Sequence, residues 1–546
     1  MSKIIAWVAD PLKNSYAAED SHLYPDDKAM KLCAWKADSC FGKIDIFCKA
    51  DVSDVTIECL IDEQIGNMIN IKSMFIKPCH AHDIDKDIPD ILYSHGPWKM
   101  TAGNLYSVWI EVETTQKSIA GCYDFKLCVK ACEEIINFDV RLEILDITLP
   151  PNSAYLELWQ YPYTSNRYYS GKTVAEAFPE GMKSIYNTHL DSKYDEQLLS
   201  QIALYKKAGG NCVTVTITED PWNWQTPDPY PSMVKWIKEI DGTFSFDYTD
   251  FDKWVRLNEK AGITGPILSF SIVNWGNNFT YLNKATGGII TESHPIGSNE
   301  WIEIWRTFLT DYMKHTMQTG VFDRVYISMD ERHYDLVKEA IAVVDSVRND
   351  KNQKFKISLA VYSFDCEPVF DHIDTLSFSF NLDSEKMSRI IKRRDELGLI
   401  TTLYTCGANG SSLHSEPYQG LDTMWYIAKL GCNGFLRWAL DAFNEDPLNT
   451  SMHRLFAAGD IFLIYPGLQH SDVVETKSSV RYEMIAQGCR DITKISYIKS
   501  EYPEYASNVQ AILDRILMTN NGDTRHATIT KCIEDFNDLV RTIICK

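Results

Sequence analysis

Asp330 and Glu331 stand side by side at the end of an apolar run, RVYISMDE, and are the residues in this chain best suited to acid–base work. A carboxylic acid with a raised pKa can protonate a leaving oxygen, and the oxygen of a glycosidic bond is a common case. Ordinary glycosidases place two carboxyl groups about that bond, roughly 5–5.5 Å apart for retention and roughly 6.5–9.5 Å apart for inversion. Neighbouring residues of a strand point to opposite faces, but a bend at the strand end lets both face one pocket. An acidic pair is also what a solvated helix start favours. The elements around the pair therefore decide its meaning.

Those elements fall into three stretches. Residues 1–150 read as strands: KIDIFCKA, DVTIECLI, MINIKSMFIK, YSVWIEVET and GCYDFKLCVK alternate apolar and polar residues, with turn-rich segments between them. Without helical crossovers the expected form is an antiparallel β-sandwich, closed by NFDVRLEILDITLPP. Residues 151–473 alternate short apolar runs with amphipathic stretches. Eight runs, AYLELWQ, NCVTVTI, TGPILSFS, RVYISMDE, KISLAVYS, TLSFSFN, ITTLYTC and GFLRWAL, predict a parallel (β/α)8 TIM-like barrel. A doubly wound sheet usually has a glycine-rich turn after its first strand, and WQYPYTSNRYY has none. Residues 474–546 read as a helical extension packed on the barrel.

In a barrel the chemistry sits at the C-terminal ends of the strands. Trp159, Glu219, Asp220, Trp222, Trp224, Trp275, Tyr362, Asn381, Tyr404, Trp438 and Asp441 all fall at or just beyond such ends. Tryptophan and tyrosine offer flat faces to the C–H faces of sugars, and Trp222, Trp224 and Trp275 lie in loops, which favours a pocket role. Many barrel glycosidases carry their nucleophile at the end of the seventh strand. Here that place is Tyr404-Thr405-Cys406, without a carboxylate. A 2-acetamido sugar can supply its own nucleophile, the acetamido oxygen, and then one carboxylate orients the acetamido N–H while the other acts as acid and base. Alternatives are a broader β-N-acetylhexosaminidase, a two-carboxylate glycosidase using Asp383 or Asp441 as partner, and a carbohydrate-binding protein without catalysis.

Composition narrows the partners. The net charge of −21 over 546 residues repels nucleic-acid phosphates and anionic lipid heads. No window approaches the ~20 apolar residues of a membrane span, and MSKIIAWVADPLKN does not read as a signal peptide. Fifteen cysteines occur without a CxxC pair or zinc spacing, which suits reduced thiols and a cytoplasmic location, with no metal and no cofactor. The oligomeric state is not legible.

One long run is more specific than any of these features. PWNWQTPDPYPSMVKWIKEIDGTFSFDYTDFDKWV, residues 221–255, resembles glycoside hydrolase family 123, as do YISMDE, LYTC, GFLRWAL and AAGDIFLIYPG. The resemblance covers essentially the whole chain. It implies a sandwich followed by a barrel, an exo-acting and retaining β-N-acetylgalactosaminidase without metal, Asp330 stabilising the acetamido group, and Glu331 as acid/base. Trp222, Gln225, Trp275, Tyr404, Arg437 and Trp438 are assigned to the substrate pocket by position. Asn274, Gly407 and the run Ala439-Leu440-Asp441-Ala442-Phe443 depart from the family's pattern, which bears on the aglycone and the exact sugar.

Overall fold

The computed structural model describes residues 2–17, 24–94, 96, 98–407, 409–471, 473–519 and 521–545. The N-terminal stretch forms two five-stranded sheets. One runs in the order Ile4–Ala9, Ser39–Cys48, Leu105–Thr114, Ile69–Ala81, Lys86–Tyr93, and the other Ala29–Lys36, Glu134–Thr148, Gly121–Ala131, Val52–Leu60, Trp98–Met100. Their facing sides bury Ile44, Ile46, Val108, Leu127, Val140 and Leu142, the inward half of an alternating pattern. One pairing departs from the antiparallel expectation: Ala29–Lys36 runs parallel to Glu134–Thr148. Strands separated by about a hundred residues need no local crossover helix, because the chain returns through the other strands of the sandwich.

Beyond residue 150 the chain is α/β. Eight parallel strands, Tyr155–Leu158, Val213–Thr216, Ile267–Phe270, Val325–Met329, Lys356–Val361, Thr375–Ser379, Ile400–Tyr404 and Gly434–Arg437, form one curled sheet. The first strand pairs with the eighth and the others follow in descending order to the second. The first and second strands, at the two edges, meet through a parallel bridge between Leu156 and Gly210. The Gln160 side-chain oxygen also accepts the Thr214 N–H at 3.2 Å. Helices follow the strands as the periodicity predicts. Asn299–Gln318 shows why: Ser298 caps its first turn, and Trp301, Trp305, Phe308, Leu309, Tyr312, Met313 and Thr316 form one buried stripe.

Two features were not expected. The loops after the second and third strands are not irregular. They contribute Phe244–Asp247, Lys235–Lys238, Asn278–Asn283 and Gly288–Ser293, in that order, to a separate four-stranded sheet. Trp236 of this sheet stacks on Phe308 with ring centroids 4.8 Å apart, fixing the insertion to the helix Asn299–Gln318. The second feature is the helix Val480–Glu501. It packs on Pro417–Leu430, the helix of the seventh strand, and its Tyr482 hydroxyl donates to Leu204 of the helix Asp195–Lys207. It therefore bridges the helix of the seventh strand and the helix Asp195–Lys207. The expected boundary at 473/474 falls between the eighth strand and this helix, and Ala506–Leu513 and Gly522–Ile544 follow it.

Candidate active site

The fourth strand ends at Met329, and the next two residues are the carboxylate pair. Glu331 has φ 28°, in the left-handed region that non-glycine residues avoid. Strain of this kind typically costs about 1–3 kcal/mol and clusters at functional sites. The bend lets the two side chains be held from different directions. Trp275, beyond the third strand, donates its Nε1–H to Asp330 Oδ2 at 2.9 Å. Tyr404, the last residue of the seventh strand, donates its hydroxyl to Glu331 Oε1. Both donors are neutral, so neither compensates the negative charge. Arg332 lies with its guanidinium 4.8 Å from the Trp275 ring centroid and offsets part of it.

The electrostatics follow. Burial, then the neighbouring Glu331 charge, push the Asp330 carboxyl up to about 7. Burial and the same Glu331 charge hold the Tyr404 phenol far above its ordinary range, so it remains a hydrogen donor. The pair and its two neutral donors thus form a centre that keeps a proton near neutral pH.

Trp275 is positioned by two loops: its N–H donates to Pro221 O of the loop after the second strand at 2.9 Å, and in its own loop Asn274 closes on Asn278 through two bonds of 3.0 Å. The acids at the end of the second strand are occupied. Glu219 pairs with Lys235 at 3.0 Å and accepts the Ser232 N–H at 2.7 Å. Asp220 accepts the N–H of Trp224 at 3.1 Å.

Two pocket assignments need correction. Arg437 is fully buried and does not line an open pocket. Its guanidinium pairs with Asp460 and donates to Thr405 O at 2.7 Å. A buried guanidinium needs a compensating anion, and Asp460 supplies it from 23 residues downstream. Trp222 is 2% exposed and packs among Trp159, Tyr161, Tyr230 and Phe270, so it builds the wall behind the site and offers no open face. Trp438 is half-buried; its ring lies against Phe456 and its Nε1–H donates to Asp460 at 3.2 Å. Gln225 is half-buried in the loop beside Trp224. Asp460 and Arg332 were missed. Asp460 stands within AAGDIFLIYPG, whose resemblance was visible although the partner of its acid was not; Arg332 simply follows the pair.

Two sizeable cavities lie elsewhere. One of about 910 Å³ separates the sandwich from the C-terminal helices, beside Phe41, Trp425 and Phe536. Another of about 790 Å³ lies beneath the strand starts, beside Tyr155 and Asn433. Neither touches Asp330 or Glu331, so the candidate site rests on its chemistry and its place at the strand ends. Among the described residues no group of three or more His, Cys, Asp or Glu is arranged to hold a metal ion, and no helix is long and apolar enough to cross a membrane.

Comparison with known proteins gives the class. The model of the glycoside hydrolase 123 catalytic domain matches residues 177–498, more than half of the chain. The protein is a glycoside hydrolase. It belongs to family 123. A family 123 glycoside hydrolase from Clostridium perfringens, studied for the details of its glycolipid glycan hydrolysis, superposes with a TM-score of 0.90. It is 29% identical over 100% of this chain and 99% of that one. A family 10 xylanase with a bacterial Ig-like domain, from termite gut, is 9% identical with a TM-score of 0.32 over 85% of this chain and 100% of that one. That likeness is too slight to carry an argument. No curated protein matches the chain.

Proposed function

We propose that this chain releases a terminal β-linked N-acetylgalactosamine, with retention, by substrate-assisted catalysis in a (β/α)8 barrel. The observation that carries the reading is the pair at the fourth strand, hydrogen-bonded by the neutral donors Trp275 and Tyr404, facing a seventh strand that ends in Tyr404 without a carboxylate. In the first step the acetamido oxygen of the substrate attacks C1. The C1–O bond breaks, and Glu331 gives its proton to the leaving oxygen. Asp330 accepts the acetamido N–H and balances the positive charge that grows on the oxazolinium ring. In the second step Glu331 takes a proton from water, whose oxygen attacks C1 and reopens the ring. Two inversions give net retention. Tyr404 has one hydrogen to give. In the free protein Glu331 receives it; with substrate bound the acetamido oxygen can, which frees Glu331 to act as acid.

The two-carboxylate alternative finds less support. Asp383 caps the helix Ser384–Glu396 through the Lys386 N–H at 2.8 Å, and Asp441 is buried on the Tyr161 N–H at 2.7 Å. Galactosamine over glucosamine rests on the family resemblance, and a glycolipid glycan as natural substrate rests on the Clostridium perfringens relative. The cysteines, free throughout, favour a reducing compartment. The test is a panel of aryl β-N-acetylgalactosaminide, β-N-acetylglucosaminide and β-galactoside. Cleavage of the first fastest and no cleavage of the third support the proposal. Rapid cleavage of the third, which has no acetamido group, would remove substrate assistance.

A further inference from the structure

Trp224 is exposed at 45%, whereas Trp222, two residues before it, is 2% exposed. Its loop is conformationally costly, because three non-glycine residues adopt left-handed backbone: Asp220 at φ 47°, Asn223 at 50° and Trp224 itself at 63°. The conformation is held by a dedicated group. The buried Asp220 carboxylate accepts the N–H of Trp224 at 3.1 Å and that of Tyr230 at 3.3 Å. Arg454, in the loop after the eighth strand, donates to Thr226 O at 3.2 Å and sets its guanidinium 5.9 Å from the Trp224 ring centroid. Packing does not explain a strained loop that presents an indole to solvent.

The loop's position suggests a use. Pro221 accepts the Trp275 N–H, and Trp275 holds Asp330, so the exposed ring stands one loop outward from the carboxylate pair. A terminal sugar lies against the carboxylates, and the residue beyond the scissile bond extends outward toward solvent. We propose that Trp224, backed by Arg454, is the platform for the sugar on the leaving-group side: a pyranose stacks its C–H face on the indole, and the guanidinium donates to its hydroxyls. This rests on the glycosidase reading above.

Two substrates separate the possibilities. One is the β-fluoride of N-acetylgalactosamine, whose leaving group is a single atom. The other is a disaccharide with the same sugar β-linked to a hexopyranose. Trp224→Ala should lower kcat/KM on the disaccharide by about tenfold or more and leave the fluoride within about twofold, with Trp224→Phe recovering much of the loss. Fluoride turnover also reports that the variant is folded. Equal losses on both substrates, or no loss on the disaccharide, would overturn the platform while leaving the glycosidase reading intact. A wild-type protein inert toward both would overturn that reading and the platform with it.

Discussion

Two carboxylate centres lie near the same end of the parallel sheet and receive opposite treatment. Asp460, near the eighth strand, is buried against the Arg437 guanidinium and also accepts the Gly407 N–H at 2.6 Å and the Trp438 Nε1–H. Burial would raise this acid, but the Arg437 cation together with the hydrogen bonds from Arg437, Gly407 and Trp438 outweighs it and holds the carboxyl below the usual range. At the fourth strand Asp330 and Glu331 receive a tryptophan and a tyrosine, and no buried cation pairs with them directly. A carboxylate neutralised by its own protein is architecture. Neutral donors alone do not mark such a centre, since Asp220 and Asp441 also receive backbone N–H groups. What sets Asp330 and Glu331 apart is that two adjacent carboxyl groups at one strand end are held by a tryptophan and a tyrosine from two other strands' ends.

Substitutions at the reactive centre should lower rate more than stability, and those at the other should do the reverse. Glu331→Gln should have the largest effect, a loss of ~10³–10⁴ in kcat on a substrate with a poor leaving group, partly recovered with an aryl leaving group. A wild-type rate would return Glu331 to the structural class. Asp330→Asn should lower kcat by ~10²–10³. It also tests the titration. In the proposed mechanism the pair carries one proton, and the Asp330 carboxyl is pushed up to about 7, so wild-type kcat/KM should fall as pH rises through about 7. In the variant, which lacks the carboxyl raised to about 7, the limb should be absent from its wild-type position.

The same residue makes a stability prediction. A carboxyl raised from 3.8 to about 7 holds its proton more tightly folded than unfolded, so its penalty grows as pH climbs between those values and is constant above. Asp330→Asn should therefore raise Tm relative to wild type at pH 8, with the difference vanishing near pH 4. Arg437→Met should leave Asp460 buried and unpaired, at about 3–5 kcal/mol measured by urea unfolding, and a second change Asp460→Leu should restore part of it. Smallest is Tyr404→Phe, about tenfold in kcat/KM for one hydrogen bond, with urea unfolding nearly unchanged.

The sequence shows the eight parallel strands because each is a short apolar run of the right length between helical stretches. Asp330 and Glu331 were findable from their place at the end of such a run. What periodicity cannot reveal is pairing at a distance. Arg437 looks like a pocket cation until Asp460, 23 residues on, is brought against it. Trp222 and Trp224 share one loop, and only the left-handed turn at Asn223 and Trp224 decides which indole enters the wall and which meets solvent. The small sheet is not legible because two of its strands come from one loop and their two partners from a different one, a pairing no local pattern records.

One contact reaches from the N-terminal strands toward the candidate site. Asp90, in the strand Lys86–Tyr93, binds the guanidinium of Arg481 at 2.9 Å. Arg481 also donates to Gly459 O at 2.7 Å, beside Asp460, and Asp460 holds Arg437, which in turn donates to Thr405 next to Tyr404. The first 150 residues are thus not a removable module. A truncated chain would begin with a buried arginine lacking its counter-ion and an uncovered apolar wall, so the intact chain should melt in one cooperative transition and the shortened one should not accumulate as a working enzyme.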